Sequence, residues 1–258
     1  VREGIQNSLD ARCSKDKVLV RIHISGTENA LARQMVAPYL HGLEQHLQAR
    51  GNGLREVPKQ GESCPVLIFE DFGTTGLLGD PASWNPQPGT RNDFYHFFRA
   101  EGRSDKSDRD IGRWGVGKQV FPRTSRINTV FGMTVRSDDK RRLLMGMTVL
   151  KSHSLGAIRY APDGWLGHCG GADGLVLPIE EPAYIDQFAE VFDIERSSEP
   201  GLSVVVPWSD LELTDKDLVR AVLRGYFWAI LRGELEVIVE ARKLETALDA
   251  DSLTEEVQ

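Results

Sequence analysis

The sequence predicts an α+β fold in which helices layer onto a sheet. Two short apolar runs, CPVLIFED at 64–71 and GLSVVVPW at 201–208, read as buried strands. Two other segments, residues 1–12 and the stretch after Thr214, repeat their apolar residues at helical spacing. The order is helix, strand, helix, strand, a long polar insertion, strands, helix, strand, which is not a regular βαβ series.

Each element has a local reason. In residues 1–12, Val1, Ile5 and Leu9 form an apolar stripe, and Glu3, Asn7 and Asp10 form a polar one. At roughly 100° per residue the two stripes fall on opposite helix faces. KVLVRIHIS, 17–25, reads as a strand. Residues 30–50 read as one long amphipathic helix, kinked at Pro38, and a Gly-rich loop follows at 51–63. The strand at 64–71 ends in two acids, Glu70 and Asp71. Residues 77–111 are mostly polar, with Pro81, Pro86 and Pro88, and enclose a short helix at 92–100. Connections of this length are usually functional lids or disordered. Residues 126–137 and 142–151 read as neighbouring strands, and 151–200 as loop-rich with a helix near 183–193. After the 201–208 strand, Thr214 caps a helix, with Asp217 placed as in a capping box. Its apolar face is Leu218, Val222, Leu223, Tyr226, Phe227, Ile230 and Leu231, and LEVIVE, 235–240, is the last strand.

Composition narrows the function classes. The 258 residues are 40% hydrophobic and 27% charged, with a net charge of −7. Such an acidic chain is poorly suited to tight nonspecific nucleic-acid binding, so nucleic acid enters only as an indirect partner. The run Arg99, Arg103, Lys106, Arg109, Arg113 is diluted by Asp105, Asp108 and Asp110 and reads as a solvated mobile loop. Cys13, Cys64 and Cys169 are widely spaced without a C-x-x-C pair, which argues against structural zinc. Reduced thiols point to a cytoplasmic protein. No apolar run approaches membrane-spanning length, so no membrane partner is expected. The chain opens at Val1 rather than Met, in the middle of a motif, and an upstream segment is expected to be missing.

GRWGVGKQ, 112–119, fits the G-x-x-x-x-G-K phosphate loop until Gln119, where Ser or Thr should hold magnesium. A phosphate loop also follows a buried strand, and RSDKSDRDI before Gly112 is none. Asp71-Phe72-Gly73 matches the kinase tripeptide, yet the glycine cluster lies downstream of it and no H-R-D exists.

Three motifs taken together resemble the GHKL ATPases: gyrase, the large heat-shock chaperones, histidine kinases and MutL, which share the Bergerat nucleotide fold. E-x-x-x-N-x-x-D-A is matched by Glu3, Asn7, Asp10 and Ala11, and D-x-G with a further Gly by Asp71, Gly73 and Gly76. G-x-x-G-x-G after a lid is matched by Gly112, Gly115 and Gly117. Order and approximate spacing agree, over residues 1 to about 208. The resemblance implies a two-layer α/β sandwich, with a mixed, mostly antiparallel sheet, helices on one face and an ATP lid at about 77–111. Residues 209–258 would be a helix-strand appendage or the start of a following domain.

The resemblance also implies roles. Glu3 would be the general base that orients the attacking water. Asn7 would bind Mg2+ through its side-chain oxygen. Asp71 would accept a hydrogen bond from the adenine amino group, Gly73 would let backbone approach the base, Gly76 is the second glycine of the nucleotide-binding motif, and Asp10 would buttress the pocket. Gly112, Gly115, Val116 and Gly117 would form the lid hinge with N–H groups toward the phosphates, and Lys118 would contact a phosphate. Arg103 and Lys106 are further candidates for a γ-phosphate cation. The sequence departs twice from the family pattern: Asp71 to Gly76 is one residue longer than D-x-G-x-G, and Gly201 is followed by Leu202 and Ser203 rather than by Thr. Ser203 is the hydroxyl left to stand in for that Thr at the adenine.

Three functions follow from the resemblance. One is Mg-dependent ATP binding and hydrolysis that closes the lid on a second subunit or adjacent domain, as in the chaperone and MutL branches. The second is a nucleotide-sensing module without turnover, binding ATP or ADP. The third is histidine-kinase-like phosphotransfer, disfavoured because His41 and His46 follow the first motif instead of preceding it.

Overall fold

The computed structural model describes residues 1–13, 17–87, 89–100, 121–170, 174–241 and 244–255. The lid hinge residues Gly112, Gly115, Val116, Gly117 and Lys118, with Arg103 and Lys106, lie outside the described residues.

The fold is α+β. The main sheet has eight strands: β1 (Val18–Ile24), β2 (Val66–Phe72), β3 (Thr129–Val135), β4 (Arg142–Val149), β7 (Asp163–Leu166), β10 (Gly201–Pro207), β11 (Leu235–Ala241) and β12 (Leu244–Leu248). Their spatial order is β12-β11-β1-β2-β10-β3-β4-β7. Every pairing is antiparallel except β1 with β11, which is parallel. Between the main strands lie two small hairpins, β5 (His153–Leu155) with β6 (Ile158–Tyr160) and β8 (His168–Cys169) with β9 (Val176–Leu177). These hairpins, with β7, sit in a segment expected to be loop-rich.

The strand pleat sends alternate residues to opposite faces, and both faces are apolar. On one face Val18, Val20, Ile22, Leu67, Phe69, Val204 and Val206 pack with Ile5 of α1 (Arg2–Asp10). Leu218, Val222, Tyr226 and Ile230 of α6 (Asp215–Leu231) complete that layer. The resemblance implies helices on this one face of the mostly antiparallel sheet, but the other face is covered as well. A further layer covers the opposite face. There Val66, Ile68, Phe131, Met133 and Val205 meet Ile185, Phe188 and Phe192 of α5 (Pro182–Phe192). Tyr39, Leu40, Leu43 and Leu47 from the β1–β2 connection join them.

That connection corrects one expectation. Residues 30–50 are not a single kinked helix but α2 (Arg33–Val36), a 3-10 turn (Ala37–Leu40) and α3 (Glu44–Leu47). Pro38 sits in the first turn of the 3-10 piece, and Gly42 at φ +85° ends it. Proline removes a helical N–H and a positive φ interrupts the helix, so the apolar periodicity survives without a continuous helix.

Three further features concern packing. Phe227, expected on the buried face of α6, is exposed beside Trp228, because Tyr226 and Ile230 already fill the core-facing positions. In the first half of the expected lid, Leu77 and the i, i+4 pair Phe94 and Phe98 of α4 (Asp93–Phe98) are buried, so 77–100 is anchored in the core. After residue 208, α6 packs on β11, and β11 and β12 extend the same sheet. Thr214 caps α6 as expected, its Oγ1 accepting the Asp217 N–H. The chain ends its described part in α7 (Ala250–Glu255).

Cys13, Cys64 and Cys169 are free thiols, and burial pushes the Cys64 thiol up to about 12. No helix among the described residues is long and apolar enough to cross a membrane.

Candidate functional site

The site is organised by α1 crossing the end of β2. Glu70 and Asp71 are adjacent on β2, so the pleat separates them. Asp71 shares its face with Leu67 and Phe69 and points at α1, where Ser8 lies; Glu70 shares the opposite face with Ile68. The α1 face that meets the sheet is Gly4, Ile5 and Ser8, with Val1 and Leu9 partly buried against it. Gly4 fits closely there: a Cβ would stand 3.1 Å from the Phe69 ring, so a larger residue would require the ring to shift by a few tenths of an ångström.

Asp71 is 5% exposed and accepts from three neighbouring donors. The Ser8 hydroxyl donates to its Oδ2 at 2.8 Å. Thr74 Oγ1 donates to Oδ1 at 2.7 Å, and the Leu202 main-chain N–H donates to the same oxygen at 2.8 Å. A carboxylate offers about four acceptor positions, so one remains on Oδ2 for a further donor. The loop after Asp71 is tied to the end of α1: the Cys13 N–H donates to the Gly73 carbonyl at 2.8 Å, and the Thr75 N–H to the Ala11 carbonyl at 2.8 Å.

Two glycines make this loop possible. Gly73 has φ +76°, and a Cβ there would lie 2.7 Å from the Lys17 carbonyl oxygen. Gly76 has φ +68°, and a Cβ would lie 2.7 Å from Thr134 Oγ1 and closer still to the Val135 carbonyl. The extra residue between Asp71 and Gly76 thus brings the second glycine against the ends of β3 and β10. Gly76→Ala combines an unfavourable φ with a backbone clash and should destabilise the chain by about 3 kcal/mol or more. Chemical denaturation would show this as a lower midpoint; an unchanged midpoint would mean that the loop is not held as described.

The expected residues fall into three groups. Asp71, Gly73 and Gly76 meet at one place. Asn7 and Glu3 are also on α1; Asn7 is exposed and Glu3 half-buried, one turn apart and stepping from Ser8 toward the helix N-terminus. Ser203 is not at Asp71. The pleat turns it to the opposite face, where it is fully buried and its hydroxyl donates to Glu70 Oε1 at 2.8 Å. The Leu202 backbone, not the Ser203 hydroxyl, reaches Asp71. Asp10 does not buttress the carboxylate either; it is exposed and accepts from Gln6 on its own helix at 3.0 Å.

Behind the site lies a buried ionic network absent from the sequence reading. Glu70 accepts from Arg21 Nη1 at 2.9 Å, from Ser203, and from the Glu195 and Arg196 main-chain N–H groups at 3.1 and 3.3 Å. Arg21 also forks onto Glu240 of β11, with Nη2 at 2.7 Å. Burial lowers the Arg21 pKa, but the hydrogen bonds to Glu240 and Glu70 outweigh it and leave it raised. Arg196, its side chain fully enclosed, donates through Nη2 to the Asp71 main-chain carbonyl. Burial pulls the Arg196 guanidinium down, opposed by Asp71, Glu70 and Glu199. Ser8 and Thr74 were legible as neighbours of Asn7 and Gly73, and Glu70 as the second acid. Arg196 had no local signal, for it is one arginine in a polar loop.

Among the described residues no cluster of three or more His, Cys, Asp or Glu could hold a metal. A magnesium ion at this site would take one oxygen from Asn7 and the rest from phosphates and water, the usual arrangement for this ion.

No family model and no curated protein matches the chain. Solved structures do. The ATPase region of Saccharomyces cerevisiae topoisomerase II bound to ICRF-187 (dexrazoxane) is 11% identical, with TM-score 0.36 over 98% of this chain and 50% of that one. The ATPase and transducer domains of DNA topoisomerase II from Balamuthia mandrillaris are 13% identical, with TM-score 0.41 over 98% and 48%. The Aquifex aeolicus MutL ATPase domain complexed with ADP is 14% identical, with TM-score 0.31 over 99% and 64%. The chain spans about half the length of the topoisomerase structures.

Proposed function

We propose that this chain is a GHKL-type module that binds ATP with magnesium and hydrolyses it, acting as a conformational switch within a larger protein. The observation that carries the reading is the Asp71 carboxylate: buried, held by three donors, with one acceptor position left on Oδ2. A buried acid arranged this way suits an exocyclic amino group such as that of adenine. Gly73 and Gly76, with no side chains to obstruct, leave backbone beside it.

The triphosphate would run along α1. From Ser8, which touches Asp71, Asn7 is one residue back and Glu3 a further turn, a rise of about 5–6 Å. Asn7 would hold magnesium, which neutralises phosphate charge when bound. Glu3 would accept a proton from the attacking water and orient it. The segment containing Gly112, Gly115, Val116, Gly117 and Lys118 would close over the phosphates, and a second subunit or adjacent domain would respond to that closure.

The test separates binding from turnover. Glu3→Gln should leave the ATP Kd within about threefold and lower the steady-state hydrolysis rate by about 100-fold or more. Tight ATP binding with no turnover in the unmodified chain would favour the nucleotide-sensing alternative. Equal turnover by both proteins would remove Glu3 from the chemistry.

A further inference from the structure

We infer that Arg196 is a positioning residue for base selection: it fixes the Asp71 main chain so that the carboxylate discriminates an amino group from a carbonyl at the purine 6-position. The inference rests on the nucleotide-site reading of Asp71 and adds to it a residue that does not touch the nucleotide.

Arg196 approaches the Asp71 carboxylate only at Oδ1, with Nη2 at 3.9 Å, and its hydrogen bonds go elsewhere. Its guanidinium makes a different set of bonds. Nη2 donates to the Asp71 carbonyl and, at 3.2 Å, to the Leu202 carbonyl. Nη1 donates to the Glu199 carbonyl at 2.8 Å, and Nε to the Ser203 hydroxyl at 2.9 Å. The guanidinium carbon lies 4.6 Å from the centre of the Phe72 ring. One planar fork therefore clamps β2 at Asp71 and Phe72 and β10 at Leu202 and Ser203. The two strand residues it holds by their carbonyls, Asp71 and Leu202, are themselves joined, since the Leu202 N–H donates to Asp71 Oδ1.

The surroundings are shaped around this side chain. Gly201 has φ +147°, and a Cβ there would lie 2.6 Å from Arg196 Nη1. The Gly201 carbonyl is taken by the Thr134 hydroxyl at 2.7 Å, and the same Thr134 oxygen accepts the Leu77 N–H at 2.9 Å. The clamp thus connects the strand carrying Asp71 to the start of the 77–100 segment. A lysine could supply the charge but not a planar fork reaching both strands.

Recognition of an amino group demands that an acceptor be held where a carbonyl oxygen would be repelled, and a carboxylate free to shift loses that contrast. The experiment measures Kd for ATP and for inosine triphosphate, which carries a carbonyl at that position, by calorimetry on the full chain, together with thermal melting. Wild type should prefer ATP. In Arg196→Lys the ATP preference should fall about tenfold, with the inosine triphosphate Kd nearly unchanged. Ser203→Ala, which removes one Arg196 partner at little change in volume, should lower it about threefold and serves if the lysine variant does not fold. In Asp71→Asn, adding Arg196→Lys should not lower the preference further. Equal weakening of both nucleotides, or a loss confined to melting temperature, would show that Arg196 is structural and overturn the inference. A wild-type chain that does not prefer ATP overturns the nucleotide-site reading itself, and the inference with it.

Discussion

Asp71→Asn should lower ATP affinity on the order of 100-fold while leaving the fold intact, the largest effect on binding expected of a single substitution here. The carboxamide can keep its oxygen toward the Thr74 hydroxyl and the Leu202 N–H, 2.7 and 2.8 Å from Asp71 Oδ1. Its NH2 group then faces Ser8. That hydroxyl can accept from it and turn its own proton to the Gly4 carbonyl, 3.1 Å away. The packing is thereby satisfied, but a donor now occupies the place where the adenine amino group needs an acceptor. A purine with a carbonyl at the 6-position meets the reverse situation and should bind the variant better than it binds wild type. Calorimetry with both nucleotides reads this out. Unchanged ATP binding in Asp71→Asn, with loss of binding in Lys118→Ala, would return residues 112–118 to the phosphate-loop reading and sink the present one.

The largest stability effect belongs to the neighbouring acid. Glu70→Ala removes one of the two carboxylates bonded to Arg21, which keeps Glu240, and takes the acceptor from the Ser203 hydroxyl and two main-chain N–H groups. Weakening a buried ion pair from one side while leaving a buried hydroxyl and two main-chain N–H groups without their acceptor costs about 3–5 kcal/mol. At roughly 2–4 °C per kcal/mol for a domain of this size, the melting temperature should drop by about 10 °C. Glu195→Ala is the internal comparison. Its carboxylate is 3.4 Å from Arg21 Nε but its side chain is 57% exposed. Water and the second partner on Glu240 screen that pair, so the expected loss is under about 1 kcal/mol. Equal melting shifts in the two variants would mean that burial does not set the strength of this network.

The adjacent acids show what could and could not be read in advance. EDFG marked the end of a buried strand, and the flanking apolar run left little doubt that the carboxylates would need partners. Which acid served the site depended on register. β2 pairs Glu70 with Ser203 of β10 and with Arg21 of β1, so Glu70 joins the network and Asp71 faces α1. The same parity moved Ser203 away from Asp71. Likewise, the helical period around Val1, Ile5 and Leu9 located the α1 stripe, while Gly4 and Ser8 entered the buried face only because Phe69 and Asp71 lie beneath them.

Local chemistry, then, was set by the chain itself: the strand at 64–71, the Thr214 cap, the helix that ends in Asp10, and the glycine spacing after Asp71. These depend on apolar periodicity, capping and backbone freedom, each a matter of a few consecutive residues. Only the tertiary structure decided that β11 would lie parallel to β1, that Pro38 and Gly42 would divide one apolar stripe into three pieces, and that Arg196 would reach the Asp71 carbonyl across 125 positions of sequence. Those outcomes depend on which faces remain to be covered once the sheet has assembled, and a buried guanidinium is placed by the acceptors that surround it rather than by its neighbours along the chain.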